Sequence, residues 1–366
     1  MANLLSQFIG TRSGTIPVEI FLVGGGGGAG AGTNMGGSGG GGSGQVVYGL
    51  YNFDYDKSIN VSIGSSGLGS AYSDTPEPAV GNAGGDTRFG AIVAYGGGGG
   101  SGHLVYNQWH PEFVEKQNYG SSGGTSGGPG EVHMSVCCNF PLGSEFVIRA
   151  SDQGRVDNNV DETGLYPGSG NGSGSTEGNA MVGGLIIGRK TTPNGFIATG
   201  AGNHGNPGGP GTAGGGGGAG GHPGGSYLDR TNARADYLGS LFGTTQWYGR
   251  GGRGLPGSAI GYPALEFAGG GGGGGAANVQ PGNAGGGAGS VTGDGNDATA
   301  NSGSGGGGTA ATSGHFRGGN GGSGVCIIRY PTSYNAATGI GTVATDPQPG
   351  YHVYRWNAPG SITFNP

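Results

Sequence analysis

Runs of consecutive glycine follow directly after short apolar stretches at several points along the chain. Residues 92–95 lead straight into five glycines at 96–100, and residues 18–23 lead into another run at 24–28. Glycine loses more conformational freedom on folding than any other residue, so such runs ordinarily predict flexible linkers. Their repeated position after a strand-like stretch indicates instead that glycine is part of the fold.

Three kinds of chain contain glycine at the level of 100 in 366 residues. Collagen requires glycine at every third position, and this sequence lacks that repeat. Disordered chains are poor in aromatic residues, whereas this chain has 16 Tyr, 12 Phe and 3 Trp. The sequence therefore favours an ordered fold in which extended three-residue-per-turn polyglycine helices lie side by side and bond to one another. Flexible linkers remain the alternative.

Internal repeats support the ordered fold. Residues 44–67 and 130–154 both begin with a Val-containing strand, reach Asn-Phe and continue into a second strand, with equal spacing from Phe to the final Gly. Residues 17–32 resemble 263–278, since both have a proline, a strand with one acidic residue and then glycines. Repetition of this kind predicts layers in which strands lead into glycine helices.

The predicted fold class is mainly β, with short antiparallel strands leading into packed polyglycine helices and almost no α-helix. Only 112–117 and 227–243 have weak helical character. The predicted strands are 18–23, 45–53, 58–63, 90–95, 131–138, 145–150, 184–187, 195–199, 264–268, 324–330, 350–356 and 360–364. The predicted domains are 1–331, with repeat units 44–102 and 130–221 and insertions at 103–129 and 226–262, and a C-terminal strand pair in 332–366.

Charge and composition exclude several classes of function. The formal net charge is −6 and only 10% of residues are charged, so the basic stripe that nucleic acids require is missing. No stretch of about 20 apolar residues is present to insert into a membrane. The N-terminal segment does not resemble a signal peptide, so we expect synthesis in a cytoplasm without general secretory export. Cys137, Cys138 and Cys326 do not form an even disulfide framework, and we expect them to be small apolar residues on strands.

Three segments combine an apolar strand with glycine: VEIFLVGGGGGAGAG at 18–32, TRFGAIVAYGGGGG at 87–100 and GGSGVCIIRYP at 321–331. Together they resemble the glycine-rich domain of tail-fibre and other virion proteins of tailed bacteriophages. In that family a strand precedes each glycine block, and a segment like 321–331 closes the domain. The C-terminal YHVYRWNAPGSITF at 351–364 resembles the strand pair that usually opens such a domain.

The resemblance implies a non-enzymatic virion protein, in a tail fibre or tail tip, that attaches the phage to its host. It implies self-association, with a trimer favoured, and contact with other tail proteins and with a host glycan or outer-membrane protein. A decoration protein without receptor contact is the first alternative. A glycine-rich ice-binding or cell-surface protein is the second, although regular ranks of Thr or Ala are not evident in the sequence.

No catalytic arrangement or cofactor motif stands out, and no cofactor is expected. The seven histidines are scattered without metal-ligand spacing. Asp157, Asn159 and Asp161 alternate like the first ligands of a calcium loop, but the glycine and glutamate of such a loop are out of place. A solvated acidic turn explains them better. Asp294 and Asp297, in a Gly/Asn-rich stretch, are weaker candidates still.

Aromatic residues within the insertions and the acidic loop are the candidates for receptor binding. They are Trp109, His110, Tyr119, Tyr166, Tyr227, Tyr237, Trp247 and Tyr248. Aromatic side chains on polar, irregular segments are typical of binding surfaces. The alternative is that they cover a thin core, because strands separated by glycine bury little side-chain area.

The C-terminal strands allow two arrangements. They either fold back on the first strand of their own chain, or add to the exposed strand edge of a neighbouring subunit. The alternating aromatic pattern at 351–356 suits a strand with one buried face. Exchange between subunits is slightly favoured.

Overall fold

The computed structural model describes strands near both ends of the chain and most of the glycine runs. These residues are 14–32, 37–71, 80–100, 102, 104–106, 131–134, 174–175, 189–192, 195–198, 215–216, 218, 251–252, 254–275, 282, 284–310, 315–344 and 348–366. Among them no α-helix occurs, and Ser258–Ile260 forms a 3-10 turn. The mainly β fold class predicted from the sequence is confirmed.

Most strands belong to one antiparallel sheet. Its members are β1 (Thr15–Val23), β2 (Val46–Asp54), β3 (Ser58–Ser62), β4 (Thr87–Phe89), β5 (Ile92–Ala94), β9 (Arg189–Thr192), β10 (Gly195–Ala198), β13 (Val325–Pro331), β14 (Thr338–Ala344) and β15 (Tyr351–Thr363). The order across the sheet is β5-β4-β3-β15-β13-β1-β2-β10-β9, and β14 also pairs with β15.

Two smaller sheets accompany it. β6 (Leu104–Tyr106), β7 (Glu131–Met134) and β8 (Gly174–Ser175) form a parallel group, and β11 (Leu255–Gly257) pairs with β12 (Tyr262–Phe267). The repeat-related strands at 45–53 and 131–138 therefore lie in different sheets: β2 in the large sheet and β7 in the parallel group.

Strand β1 is buried on both faces, which explains its nearly continuous apolar sequence. Val18, Ile20 and Leu22 point into a first core, and Phe21 and Val23 point into a second one on the opposite face. Successive side chains of a strand point to opposite faces, so both cores need apolar residues from the same short stretch. Each such side chain contributes about 1.5–3 kcal/mol when fully buried.

The first core forms because the sheet curls until β4 and β5 lie against β1 and β13. β15 bends between two partners: residues 351–356 pair with β13 and residues 360–363 pair with β3. Trp356 and Phe89 meet in this core with ring centroids 6.4 Å apart. The sheet is nearly closed: Gln45 N–H donates to the Tyr95 carbonyl at 2.8 Å across the seam between β2 and β5.

The second core is covered by the β11–β12 pair and its 3-10 turn. Leu255, Ile260 and Phe267 are buried there, and the Phe267 ring lies 5.3 Å from that of Phe21. Gly261 closes the turn with a left-handed φ of 87°, a conformation that favours glycine. Residues 254–262, the end of the predicted insertion 226–262, thus pack on the sheet.

The glycine runs form the other half of the molecule, where backbone hydrogen bonds recur with a period of three residues. In segment 24–32, Gly24, Gly27 and Gly30 donate to residues 45, 42 and 39, respectively. Gly25 and Gly28 donate to residues 85 and 82. A helix with three residues per turn presents every third N–H to the same neighbour, so this pattern identifies a polyglycine II helix.

Segment 24–32 lies at the centre of six such neighbours. It donates hydrogen bonds to 37–45, 80–85 and 318–324, which run antiparallel to it, and accepts them from 64–70, 96–100 and 303–308. Segment 303–310 also has six neighbours. It shares bonds with 24–32, 37–45 and 318–324, and also with 269–275, 285–290 and 294–299. We call this array the polyglycine bundle. In the glycine-rich stretch 214–221, Gly216 donates to the Gly271 carbonyl at 2.9 Å.

Glycine is required here because neighbouring backbones occupy the space of a side chain. A Cβ atom on Gly27 would overlap the carbonyl group of Gly98, and one on Gly28 would overlap that of Leu68. A Cβ on Gly271 would meet the carbonyl of Gly306 in the same way. The glycine runs are therefore packed elements of the fold, and flexible linkers do not describe them.

The strands enter the bundle at one end of the sheet. β1 leads into 24–32, while 37–45 returns into β2 and 317–324 leads into β13. At the opposite end of the sheet the chain turns at Tyr55 and Asp56. Tyr55 N–H donates to the Gly14 carbonyl at 3.3 Å and Asp56 N–H donates to the Phe364 carbonyl at 2.9 Å.

Several predictions about strands need correction. The C-terminal segments 350–356 and 360–364 form the single bent strand β15, paired in its own chain with β13, β14 and β3. The favoured exchange with a neighbouring subunit is therefore wrong for this strand, because partners in its own chain occupy both of its edges. It also pairs with β13 where a pairing with the first strand was expected.

Two further differences concern a turn and a strand that were not predicted. The predicted strand 90–95 begins with the turn of a hairpin: β4 ends at Phe89, the chain turns at Gly90 with φ 58°, and β5 follows. β14 was not predicted at all. Cys326 is buried on β13 as expected. Cys137 and Cys138, strands 145–150 and 184–187, and helical candidates 112–117 and 227–243 lie outside the described residues.

Candidate functional site: the outer layer of the polyglycine bundle

One exposed surface of the bundle is a layer of four adjacent segments, 80–86, 64–71, 315–323 and 294–301. Asn82 N–H donates to the Leu68 carbonyl at 2.9 Å, which joins the first segment to the second. Gly321 N–H donates to residue 67 at 2.9 Å, and Ala298 N–H donates to residue 320 at 2.8 Å. We call these four segments the outer layer.

One segment of the outer layer exposes a side chain at every third residue. Segment 64–71 exposes Ser65, Leu68 and Ala71, and Leu68 is 58% exposed. With three residues per turn and a rise of about 3.1 Å per residue, these side chains stand about 9 Å apart along the segment. This segment thus presents an evenly spaced row of side chains.

The carboxylates of Asp294 and Asp297 bind backbone N–H groups of the neighbouring segment. Arg317 N–H donates to Asp294 Oδ1 at 2.7 Å, and Asn320 N–H donates to Asp297 Oδ1 at 2.7 Å. In return, the N–H groups of residues 295 and 298 donate to the carbonyls of the same Arg317 and Asn320. The same small ring is therefore formed twice, three residues apart.

Asn320 continues this arrangement to the next segment. Its Oδ1 accepts the N–H of Gly69 at 2.9 Å, while its Nδ2 donates to Asp297 Oδ2 at 3.2 Å. Arg317 also lies 3.3 Å from Asp297, but both side chains are about half exposed, so solvent screens this ion pair. Hydrogen bonds from N–H groups to carboxylates are the stronger contribution here.

A second polar cluster is buried beside the second core. Glu19, 2% exposed, accepts hydrogen bonds from Arg329 Nε at 2.9 Å and from the Tyr48 hydroxyl at 3.3 Å. Arg329 also donates to Gln348 Oε1 at 3.3 Å, and its guanidinium lies 4.7 Å from the centre of the Tyr351 ring. Burial, aided by the nearby Glu19 carboxylate, raises the pKa of Tyr48 well above its usual value.

This cluster serves to hold the fold together. Gln348 Nε2 donates to the Ile260 carbonyl at 3.0 Å, so the chain Glu19–Arg329–Gln348 connects β1 and β13 to the 3-10 turn that covers the second core. A buried pair costs desolvation energy and is tolerated when all its groups are hydrogen-bonded. We therefore assign it a structural role.

The structure does not test the predicted receptor-binding side chains. Trp109, His110, Tyr119, Tyr166, Tyr227, Tyr237, Trp247 and Tyr248 lie outside the described residues, as do Asp157, Asn159 and Asp161. Gly100 and Gly102, which precede the first insertion, are described. Segment 96–100 runs parallel to 24–32, so it leads away from the sheet.

Asp294 and Asp297 have a different role from the calcium ligation considered for them. Both carboxylates are occupied by backbone and side-chain donors of residues 317 and 320. Among the residues that the structure describes, no group of three His, Cys, Asp or Glu side chains is arranged to hold a metal ion. In the same part of the chain, no helix is long and apolar enough to cross a membrane.

Sequence reasoning missed the role of the outer layer, although the sequence contains a signal for it. Segments at the bundle centre are nearly pure glycine, such as 24–28 and 269–275. The outer segment 317–323 instead carries its non-glycine residues at every third position, Arg317, Asn320 and Ser323. A period of three in the non-glycine residues marks a polyglycine helix with one exposed side.

The arrangement of strands leading into packed glycine segments agrees with a family comparison. A family model described as a glycine-rich domain matches residues 6–331. The chain belongs to this family. The match covers the strands β1 to β13 and the whole polyglycine bundle, and it ends at the last residue of β13. No curated protein matches the chain.

Proposed function

We propose that this glycine-rich domain protein is a non-enzymatic structural component of a tailed-phage virion. It acts in the tail fibre or tail tip as an adhesin for the host receptor. Its partners are further copies of the chain, other tail proteins, and a glycan or outer-membrane protein of the host. The resemblance of 18–32, 87–100 and 321–331 to tail-fibre domains supports this proposal.

The observation that carries the proposal is the packing of segment 96–100, which comes just before the first insertion in the sequence. Segment 96–100 is held by bonds from Gly97 to Gly25 and from Gly100 to Gly28, and it leads away from the sheet. The aromatic-containing insertion 103–129 follows directly after it. Binding residues are commonly found on loops attached to a rigid scaffold, and six-neighbour backbone packing provides such a scaffold.

The alternatives gain less support from the described surface. Ice binding would favour ranks of Thr or Ala, whereas the outer layer, where described, carries Asp294, Asp297 and Arg317 bound to one another. A decoration protein without receptor contact differs from an adhesin in its place on the particle, so microscopy distinguishes the two.

Labelling of purified particles tests the proposal. Mass spectrometry of particles of the phage that encodes this chain should detect the protein, and specific antibodies should label fibre tips or the tail tip on micrographs. Label on the capsid would support the decoration protein instead. Particles without the protein would refute both.

Adsorption assays test the receptor-binding part. Trp109→Ala and Trp247→Ala should slow phage adsorption to host cells without lowering the melting temperature of the protein. Leu68→Ala is the matched control, because it also truncates a large apolar side chain but on the outer layer. If both tryptophan variants lose stability to the same extent as they lose adsorption, these side chains form a core instead.

A further inference from the structure

The polyglycine bundle ends at the outer layer, although a glycine helix at the surface has room for further neighbours, up to six in all. Segments 24–32 and 303–310 each bond to six others. Every polyglycine II helix has three rows of N–H groups and three rows of carbonyl groups, all available to neighbours. A layer at the surface therefore presents rows of backbone groups to which another glycine segment can add, like the edge of a β-sheet.

In the outer layer, side chains take the place that a further glycine segment would occupy. The N–H groups of Arg317 and Asn320 belong to one row of their segment, spaced three residues apart, and they donate to Asp294 Oδ1 and Asp297 Oδ1. The N–H of Gly69 in the adjoining segment donates to Asn320 Oδ1. Acceptors from side chains thus replace the carbonyl groups that a further segment would supply.

The same side chains also prevent close approach. Within the bundle, a Cβ on Gly27, Gly28 or Gly271 would overlap a neighbouring backbone, so contact between segments requires glycine at the positions that face the neighbour. Asp294, Asp297 and Arg317 are exposed on the outer layer and stand where such a neighbour would lie. Two independent effects, occupied N–H groups and steric bulk, therefore act at one face.

We propose that Asp294, Asp297, Arg317 and Asn320 terminate the polyglycine bundle. They keep its outer layer from adding a glycine segment of a second copy of the chain, and they leave self-association to other surfaces. The identity of this second copy follows from the chemistry, because the segment that fits a bare polyglycine face is another polyglycine helix, and this chain supplies several. The inference does not depend on the proposed virion function.

A bare-face variant with Asp294→Gly, Asp297→Gly, Arg317→Gly and Asn320→Gly tests the proposal in the full chain. Its average mass by light scattering should rise with protein concentration to about twice the wild-type value or more, because the exposed rows can then pair. Circular dichroism and a cooperative melting transition check that the variant folds.

The matched control is a variant with Asp294→Asn, Asp297→Asn and Arg317→Gln. It changes the net charge by the same amount as the bare-face variant but keeps a side-chain oxygen for each N–H group and keeps the bulk. We expect it to retain the wild-type mass. If both variants associate equally, charge repulsion and not termination keeps the face free, and the proposal is wrong.

A single substitution covers the case in which the bare-face variant does not fold. Asp297→Ala removes one acceptor, and amide exchange at Asn320 should become about tenfold faster while amides of 24–32 keep their protection. Unchanged exchange at Asn320 would show that Asp297 does not occupy this N–H group. A folded bare-face variant that stays at the wild-type mass at all concentrations would also overturn the proposal.

Discussion

The sheet and the polyglycine bundle are stabilised by opposite use of side chains. In the sheet, residues such as Trp356 and Phe89 fill a core, and the burial of apolar surface drives packing. In the bundle, backbones contact one another directly and hydrogen bonds such as Gly27 to Gly42, at 2.8 Å, connect every pair of neighbours. The sheet is therefore sensitive to the loss of side-chain atoms, and the bundle to their addition.

The largest expected effect is the loss of a side chain from the first core. Trp356→Ala removes a fully buried ring that contacts Phe89 and Tyr354, and it should lower the free energy of unfolding by about 4 kcal/mol. Chemical denaturation measures this. Leu265→Ala, at an exposed position of β12, is the control and should change stability by less than about 0.5 kcal/mol. If both variants lowered the free energy of unfolding equally, the sheet would not have a side-chain core around Trp356.

The converse change in the bundle is the addition of one methyl group. Gly27→Ala places a Cβ against the backbone of Gly98 and should cost about 3 kcal/mol, since the rigid neighbours cannot move independently. Gly293→Ala is the matched control, because a Cβ there meets nothing within 4 Å and the backbone has an ordinary φ. A tolerated Gly27→Ala would mean that the segments are not in close contact in solution.

Alkaline pH should affect the sheet through its buried tyrosines. Burial raises the pKa of Tyr48 and of Tyr330, so both stay neutral in the folded protein while they ionise in the unfolded chain near pH 10. The contribution of these neutral tyrosines to the free energy of unfolding is complete below pH 10. It is lost as the pH rises, by about 1 kcal/mol per tyrosine between pH 10 and 11. Chemical denaturation at pH 10 and pH 11 should show that the free energy of unfolding falls less in Tyr330→Phe than in the wild type. An identical loss would exclude Tyr330 as a source.

The smallest effect is expected at the exposed turn of the sheet. Lys57 pairs with Asp54, but the two side chains are 72% and 50% exposed, so solvent screens the interaction. Lys57→Ala should change the free energy of unfolding by less than about 0.5 kcal/mol, measured by denaturation in low salt. A larger loss would show that surface charges, and not the cores alone, support this part of the sheet.

The sequence predicted the elements of both regions better than their partners. β1 and β13 were predicted because their apolar residues form uninterrupted runs that few other structures accommodate. β14 was missed since Thr338–Ala344 contains two glycines and few apolar residues, and its pairing depends on β15. The β4–β5 hairpin was missed because its turn, at Gly90, has no second turn residue beside it.

The arrangement of the bundle could not be predicted from sequence for a physical reason. Glycine has no side chain by which one segment could specify its neighbour, so 24–32 could equally have been placed beside other runs. The order is set where the strands enter the bundle, through pairings such as Val23 with Val46 and with Val325. Asp294 and Asp297 were interpreted as loop residues because their hydrogen-bond donors lie in a segment more than twenty residues away.

The turn at Tyr55 and Asp56 has a mechanical consequence. Gly14 and Phe364 are bonded to adjacent residues of this turn, so the two ends of the described chain lie side by side at the end of the sheet opposite the bundle. Tension applied between them would pass through this turn and the edges of β1 and β15. The bundle would form a side branch outside the line of force and would keep its packing while the molecule is pulled.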